Sequence, residues 1–427
     1  MVIYLVYFLL SPVLWVFLHT FGLIFPKIRT HIFSQFPSYK KLKNNLRSNA
    51  KPVVIFHAAS AGEFEQLRPI LGKMDREKYF IIQTFFSPTI YLKEKDSELF
   101  DDCCYHPFDF PWSALYFFMI TRPEYYIITR HDIWPNHLVI SNILNINSIL
   151  INANLYKESI RLSPYLISAN RWIYSKFNLV FTGSKRLENN LVKLVESSKI
   201  IVSGDTRFDQ VLERKNNYSG TLLSESYTES VNLIFGSIIR SDFKIIFNSL
   251  GEEFPNGHDS LHLKNQRLIF VPHETGNDAI QEIEKELLKL NLESKRYSQV
   301  LAEETPDVLI VDMVGILADL YFHSFFAYVG AGFGAGVHSV IEPAVHGCIV
   351  SFGPNIQILD EAIDLFESKI GFMVQTKSDF VRLLNSIQNE NTRIQYQKKT
   401  LQYVTDHPLS SLSIINRIFK ERNESNH

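Results

Sequence analysis

Glu63 is the first acidic residue of the chain, and it closes the stretch His57-Ala58-Ala59-Ser60-Ala61-Gly62-Glu63 directly after the apolar run Val53-Val54-Ile55-Phe56. Small residues such as Ser60 and Gly62 let the backbone turn tightly and leave amides open to a ligand. In an open α/β sheet such a turn lies at the carboxyl end of a strand, where these folds place their chemistry. A carboxylate there is either a general base or a favourable charge at the start of the next helix, and the residues alone leave both readings open.

Four further loops carry groups suited to a charged ligand. Asp205-Thr206-Arg207-Phe208-Asp209 offers Arg207, whose planar fork suits a carboxylate or phosphate. Thr129-Arg130-His131-Asp132-Ile133-Trp134-Pro135-Asn136 holds an ionisable cluster. That cluster either orients a substrate or supplies a helix cap at Asp132, with Pro135 in the first turn. Gly236-Ser237-Ile238-Ile239-Arg240-Ser241 suits an anion through its amides, Ser237 and Arg240. Gly330-Ala331-Gly332-Phe333-Gly334-Ala335-Gly336 follows an apolar run, where glycines such as Gly334 and Gly336 permit close approach to phosphate. Downstream, Glu342 either accepts hydrogen bonds from a ribose diol or favours a helix start, and His338 either donates to an anion or is packed. A nicotinamide site fits poorly, because no acid stands about 20 residues on to hold a ribose. No Asp-x-Asp or histidine–carboxylate pairing points to a metal, so charge on a leaving phosphate falls to amides and basic side chains.

The elements that must position these loops read as alternating short apolar runs and amphipathic stretches. Strands are expected at Val53–Phe56, Phe80–Thr84, Tyr125–Thr129, Ser148–Ile151, Leu179–Thr182 and Ile200–Ser203. A second set is expected at Asn232–Phe235, Arg267–Val271, Val308–Val311, Ala327–Val329 and Ile349–Phe352. This alternation is the pattern of parallel sheets with helices on both faces. The reading is α/β, with two Rossmann-like domains facing across a cleft: 27–214 and 231–399. The polar, serine-rich stretch 215–230 reads as a linker, 254–266 as a surface loop, and 400–427 as closing helices with a polar tail.

The chain has 427 residues, 46% of them hydrophobic, which suits two buried cores. A formal charge of -2 gives no reason to expect nucleic acid as partner. Three cysteines, two of them adjacent, make no disulfide framework and point to a reducing compartment. Residues 1–26 carry no charge and are long enough for a membrane anchor helix, either spanning or interfacial. The basic collar that follows, Lys27, Arg29, Lys40, Lys41, Lys43, Arg47 and Lys51, has no acid within it. It places the rest of the chain on the cytoplasmic side of its membrane, facing anionic lipids.

Taken in order, these motifs resemble the 3-deoxy-D-manno-octulosonic acid (Kdo) transferases of lipopolysaccharide assembly, two-domain GT-B glycosyltransferases. The resemblance runs to about residue 375. It rests on Ser60-x-Gly62-Glu63, Phe86-Ser87-Pro88, Asp132-Ile133-Trp134-Pro135-Asn136, Asn152-Ala153-Asn154, Ser203–Asp209, Asp312-Met313-Val314-Gly315 and Gly336–Glu342. It implies transfer of Kdo from CMP-Kdo to a lipid A precursor with inversion, needing no metal cofactor. Glu63 is then the catalytic base, with Ser60, Gly62, Ser87, Asp132 and Arg207 near the sugars. The nucleotide falls to Ser237, Arg240, His273, Val314, Gly315, Gly334, Gly336, His338, Ser339 and Glu342. The chain departs from the pattern at Asp132 (usually Glu), Ser339 (usually Asn), Pro272-His273-Glu274 (usually Pro-Arg-His) and Ser237-Ile238-Ile239 (usually Ser-Thr-His). These departures leave room for a UDP- or GDP-linked donor, or for a non-catalytic sugar- or lipid-binding relative.

Overall fold

The computed structural model describes residues 2–220, 222–301 and 304–420. The chain divides into two compact units, one formed by residues up to Gln210 together with those from Pro408 onward, the other by Val211–His407.

The first unit carries seven strands: β1 Val53–Ala58, β2 Phe80–Phe85, β3 Asp102–Tyr105, β4 Tyr125–Thr129, β5 Asn147–Ala153, β6 Leu179–Thr182 and β7 Ile200–Val202. They form one sheet in the order β3-β2-β1-β4-β5-β6-β7, and every pairing is parallel. A parallel sheet is covered on both faces, so its strands read as continuous apolar runs; all six residues of β1 are buried. Between β1 and β4 the strand order reverses, which makes that gap the switch point of the sheet.

The second unit repeats the plan with β8 Val231–Ile238, β9 Gln266–Pro272, β10 Lys295–Arg296, β11 Val308–Ile310, β12 Phe326–Val329, β13 Ile349–Phe352 and β14 Phe372–Met373. Their order is β10-β11-β9-β8-β12-β13-β14, with the reversal between β8 and β12. Each unit is thus a Rossmann-like α/β domain of the kind paired in GT-B proteins.

Three segments differ from the expectation. The stretch 254–266 contains the helix His258–Lys264, entered at Gly257 (φ 57°) and left at Asn265 (φ 50°), with Leu261 buried. The serine-rich 215–230 is no free linker: the helix Thr206–Asn217 runs into it, and Tyr227 is buried in the core of the second unit. The closing helices part company at His407. Glu390–Thr405 belongs to the second unit, whereas Ser410–Ile415 returns to the first, where Ser410 and Ser411 amides donate to Asp209 at 3.1 and 3.2 Å.

Two helices precede the first sheet, α1 Val2–Ile24 and α2 Pro26–Asn45. α1 has a mean hydropathy of 2.0 over its most apolar window, and only 6% of that window is buried. It is held nonetheless. Tyr4 donates to Asn136 at 3.0 Å, Tyr7 donates to Asp109 at 3.0 Å, and a Cβ at Gly22 would lie 2.8 Å from Ile32 of α2.

Candidate active site

In the first unit, β1 feeds α3 Ala61–Leu71, and the turn between them is a reciprocal cap. Ser60 Oγ accepts from the Glu63 amide, while Glu63 Oε2 accepts from the Ala59 amide at 2.8 Å and the Ser60 amide at 3.1 Å. Both amides go to one oxygen. Among the described residues, Oε1 receives no hydrogen bond, so the helix cap fixes the carboxylate and leaves its other face open. Glu63 is half-buried; burial, then the charge of Asp132, raises its pKa above the ordinary 4.5. A carboxylate so tuned takes a proton more readily than a solvated one.

Asp132 follows β4, the strand paired to β1. It is not the helix cap that its position offered. Trp134 precedes the helix Pro135–Ile143, and buried Asp109 takes the freed amides of Asn136 and His137 at 2.9 and 3.2 Å. Asp132 instead accepts on Oδ2 from His57 Nε2 at 2.5 Å and from Trp134 Nε1 at 2.9 Å. Burial pushes its pKa up, but the hydrogen bonds and charge from His57 and the bond from Trp134 outweigh burial and hold it below 3.8. Its Oδ1 has no hydrogen-bond partner among the described residues. His57, in turn, lies in β1 and is anchored on the other side to Thr84 Oγ1 at 2.9 Å.

The remaining first-unit residues surround this pair or support it. Ser87 is brought to the turn by its amide, which donates to the Ala59 carbonyl at 3.1 Å. Gly62 is exposed, with open space where a Cβ would stand. Arg207 has its fork on Asp205 at 2.7 and 3.0 Å, so it stands in an ion pair and is not the bare clamp that was expected. Sequence reading placed Arg130 in the ionisable cluster but missed Arg161. Both bear on His131, whose pKa falls to about 4, first through burial and then through Arg130, Arg161 and Arg207. The clue was present in the tandem Arg130-His131-Asp132, but Arg161 lies on a separate loop that no local spacing connects to it.

In the second unit the predicted residues gather along the carboxyl ends of β11, β9, β8 and β12. Ser237 closes β8 at φ 52°. His273 follows β9, and its ring stacks on His338 at 4.5 Å and 12°. Val314 and Gly315 (φ 90°) form the turn after β11, and Val314 is 75% exposed. Arg240 is turned to solvent and pairs with Glu282 at 3.6 Å. Glu342 lies in the first turn of the helix Ile341–Val345, with Ser339 two residues before that helix. The glycine run serves the protein's own backbone first: a Cβ at Gly330 would stand 2.3 Å from the Ser237 carbonyl oxygen, and one at Gly332 would stand 2.6 Å from the Gly353 amide. Gly334 likewise makes room for Ile239, and Gly336 for Ile358. Among the described residues, no group of three or more His, Cys, Asp or Glu side chains is placed to hold a metal ion.

Residues 31–210 match the family model described as 3-deoxy-D-manno-octulosonic-acid transferase (kdotransferase). The 3-deoxy-D-manno-octulosonic acid transferase of Aquifex aeolicus is 27% identical over 358 residues, covering 82% of this chain and 90% of that protein. The enzyme of the same name from Haemophilus influenzae is 22% identical, covering 78% and 77%.

The chain is similar to the Kdo transferases, through residues 31–210 in the family model and over most of its length in these relatives.

Its activity is that of a glycosyltransferase. Solved structures with the same fold include a UDP-GlcNAc 2-epimerase from Neisseria meningitidis bound to UDP-GlcNAc, at TM-score 0.58, 13% identity and coverage of 87% of this chain and all (100%) of that one. A glycosyltransferase from Rickettsia africae matches at TM-score 0.58 and 12% identity, over 87% of this chain and 100% of that one. The Kdo transferase match spans β1 to β7, and so includes Glu63, Asp132 and Arg207.

Proposed function

We propose that this protein is a Kdo transferase that moves Kdo from CMP-Kdo to a hydroxyl of a lipid A precursor, with inversion at the anomeric carbon. The first unit receives the acceptor, and the second holds the cytidine monophosphate. Glu63 Oε1 takes the acceptor proton as the hydroxyl oxygen forms its bond to the anomeric carbon. The bond from that carbon to the phosphate oxygen breaks, and the electron pair leaves with CMP. One base and one leaving group suffice, without a covalent intermediate. Asp132, held by His57 and Trp134, offers its free oxygen as an acceptor for a sugar hydroxyl.

The observation that carries this reading is the pair of carboxylates at the β1/β4 switch point, each fixed through one oxygen and open at the other. The test is CMP release from CMP-Kdo in the presence and absence of a lipid A precursor. Release that needs the acceptor supports the proposal. Release equal with and without acceptor, or none with either, overturns it.

A lipid acceptor also fits the amino-terminal helices. α1 touches the first unit near its start, through Tyr4 and Tyr7, and packs on α2 near its end, through Gly22. A spanning helix would put its ends about 30 Å apart on opposite sides of the bilayer. Contacts at both ends hold this one along the protein, which favours the interfacial of the two arrangements. Beside it, an apolar pocket of about 300 Å³ is lined in part by Trp15, Phe36, Trp112 and Tyr116.

A further inference from the structure

We infer that His273 and His338 form the cationic half of a phosphate site that is charged only when occupied, taking up one proton as the anion binds. The inference rests on the proposed assignment of nucleotide binding to the second unit.

The two histidines come from the loops that flank β8 on either side, after β9 and after β12. Both are anchored through the backbone. The His273 amide donates to the Ile238 carbonyl at 3.0 Å, and the His338 amide to the Gly330 carbonyl at 3.3 Å. Their rings stand nearly parallel, 12° apart with centroids at 4.5 Å. Neither ring makes a hydrogen bond to another group among the described residues, so the ring nitrogens are available to a ligand.

Arg240, the basic residue nearest in the chain to the β8 turn, is 84% exposed at its side chain and faces Glu282. Two stacked imidazolium rings repel, whereas two neutral rings offer an anion only one donor each. An arriving phosphate changes the balance: its charge favours a proton on the pair, and its oxygens accept from both rings. The proton comes from solvent and returns there when the anion leaves. The charged groups on the surrounding elements are Asp242 behind the glycine turn, Glu274 next in the chain, the Arg240–Glu282 pair and Glu342. Of these Asp242 favours the charged form of His338, while burial first and His273 second disfavour it in the empty site. An arginine at position 273 would be charged at every pH; the histidine makes affinity depend on it.

The test measures affinity for CMP, UDP and cytidine between pH 6 and 8, by calorimetry in two buffers of different ionisation heat. It compares the wild type with His273→Arg, whose folding is checked by its thermal midpoint. CMP carries a phosphate that itself titrates near pH 6, and that contribution is common to both proteins. The inference predicts that wild-type affinity for CMP falls by up to about tenfold more per pH unit than that of His273→Arg. It also predicts that cytidine, without phosphate, shows no such difference. Parallel slopes for the two proteins overturn the inference while leaving a preference for CMP intact. Tighter binding of UDP than CMP, with the histidine-dependent slope kept, overturns the CMP assignment and sustains the phosphate site. Failure of both nucleotides to bind overturns both.

Discussion

Glu63 and Asp242 occupy the same place in the two units, the third residue of the helix that follows the first strand. Each accepts the amide of the residue that caps its helix, Ser60 in one case and Ile239 in the other. There the likeness ends. Asp242 is fully buried, and both its oxygens are engaged: one by Tyr328 OH at 3.1 Å, the other by the amides of Ile239 and Ala331 at 3.0 and 2.8 Å. Glu63 gives one oxygen to its cap and keeps the other open. One topology therefore leaves an open carboxylate, the proposed base, in the first unit and makes a brace for the glycine turn in the second. The difference follows from what crosses from the neighbouring strand. After β4 come Asp132 and Trp134, polar groups tied to His57; after β12 comes a glycine turn that needs an acceptor for the Ala331 amide.

The comparison can be broken at several points. Asp132→Asn removes the anchored carboxylate and its charge beside Glu63. Turnover should fall about a hundredfold. The acid limb of the pH–rate profile should also move to lower pH, because the neighbouring charge that raises the Glu63 pKa is gone. A steady-state pH series reads both.

Gly330→Ala places a methyl group against the Ser237 carbonyl, and should cost about 3 kcal/mol in a urea titration of the second unit.

The first unit should respond to acid through buried His31, whose ring nitrogens lie 2.9 Å from the Phe86 and His106 carbonyl oxygens, so that the neutral ring donates to only one of them. Burial lowers its pKa from 6.5 to about 4, so the unfolded chain binds the proton more readily. Stability is then lost as pH falls below 6.5 and levels off below 4, a loss of about 2 kcal/mol at pH 5 from this group. Thermal melts at pH 7 and 5 should show it.

The smallest effect is expected from Gly62→Ala. Nothing crowds a Cβ in that helical position, so the substitution should raise stability by about 0.5 kcal/mol, the opposite sign to Gly330→Ala.

The strands that carry the sites were legible because both faces of a parallel sheet are buried, which leaves runs such as Val53–Phe56 unmistakable. Three of the four edge strands were not: β3 is Asp-Cys-Cys-Tyr, and β10 and β14 have two residues each. The helix His258–Lys264 was hidden by polarity, since it buries only Ser260 and Leu261. Glu63 could be found from its turn, because the cap and the base use the same local signal. The His57–Asp132 bond could not, for 75 residues separate its partners and only the β1/β4 pairing joins them. The glycine run was read as room for a phosphate, yet Gly330 and Gly332 are required by neighbouring backbone. Glycine content reports close approach without saying to what.

The most direct measurement is made on Glu63→Gln, with CMP affinity and Kdo transfer followed in the same preparation. Glutamine keeps an oxygen for the Ala59 and Ser60 amides but cannot take a proton. The account predicts transfer lower by about 10²–10⁴-fold with CMP affinity unchanged. Transfer within a few-fold of wild type would contradict it.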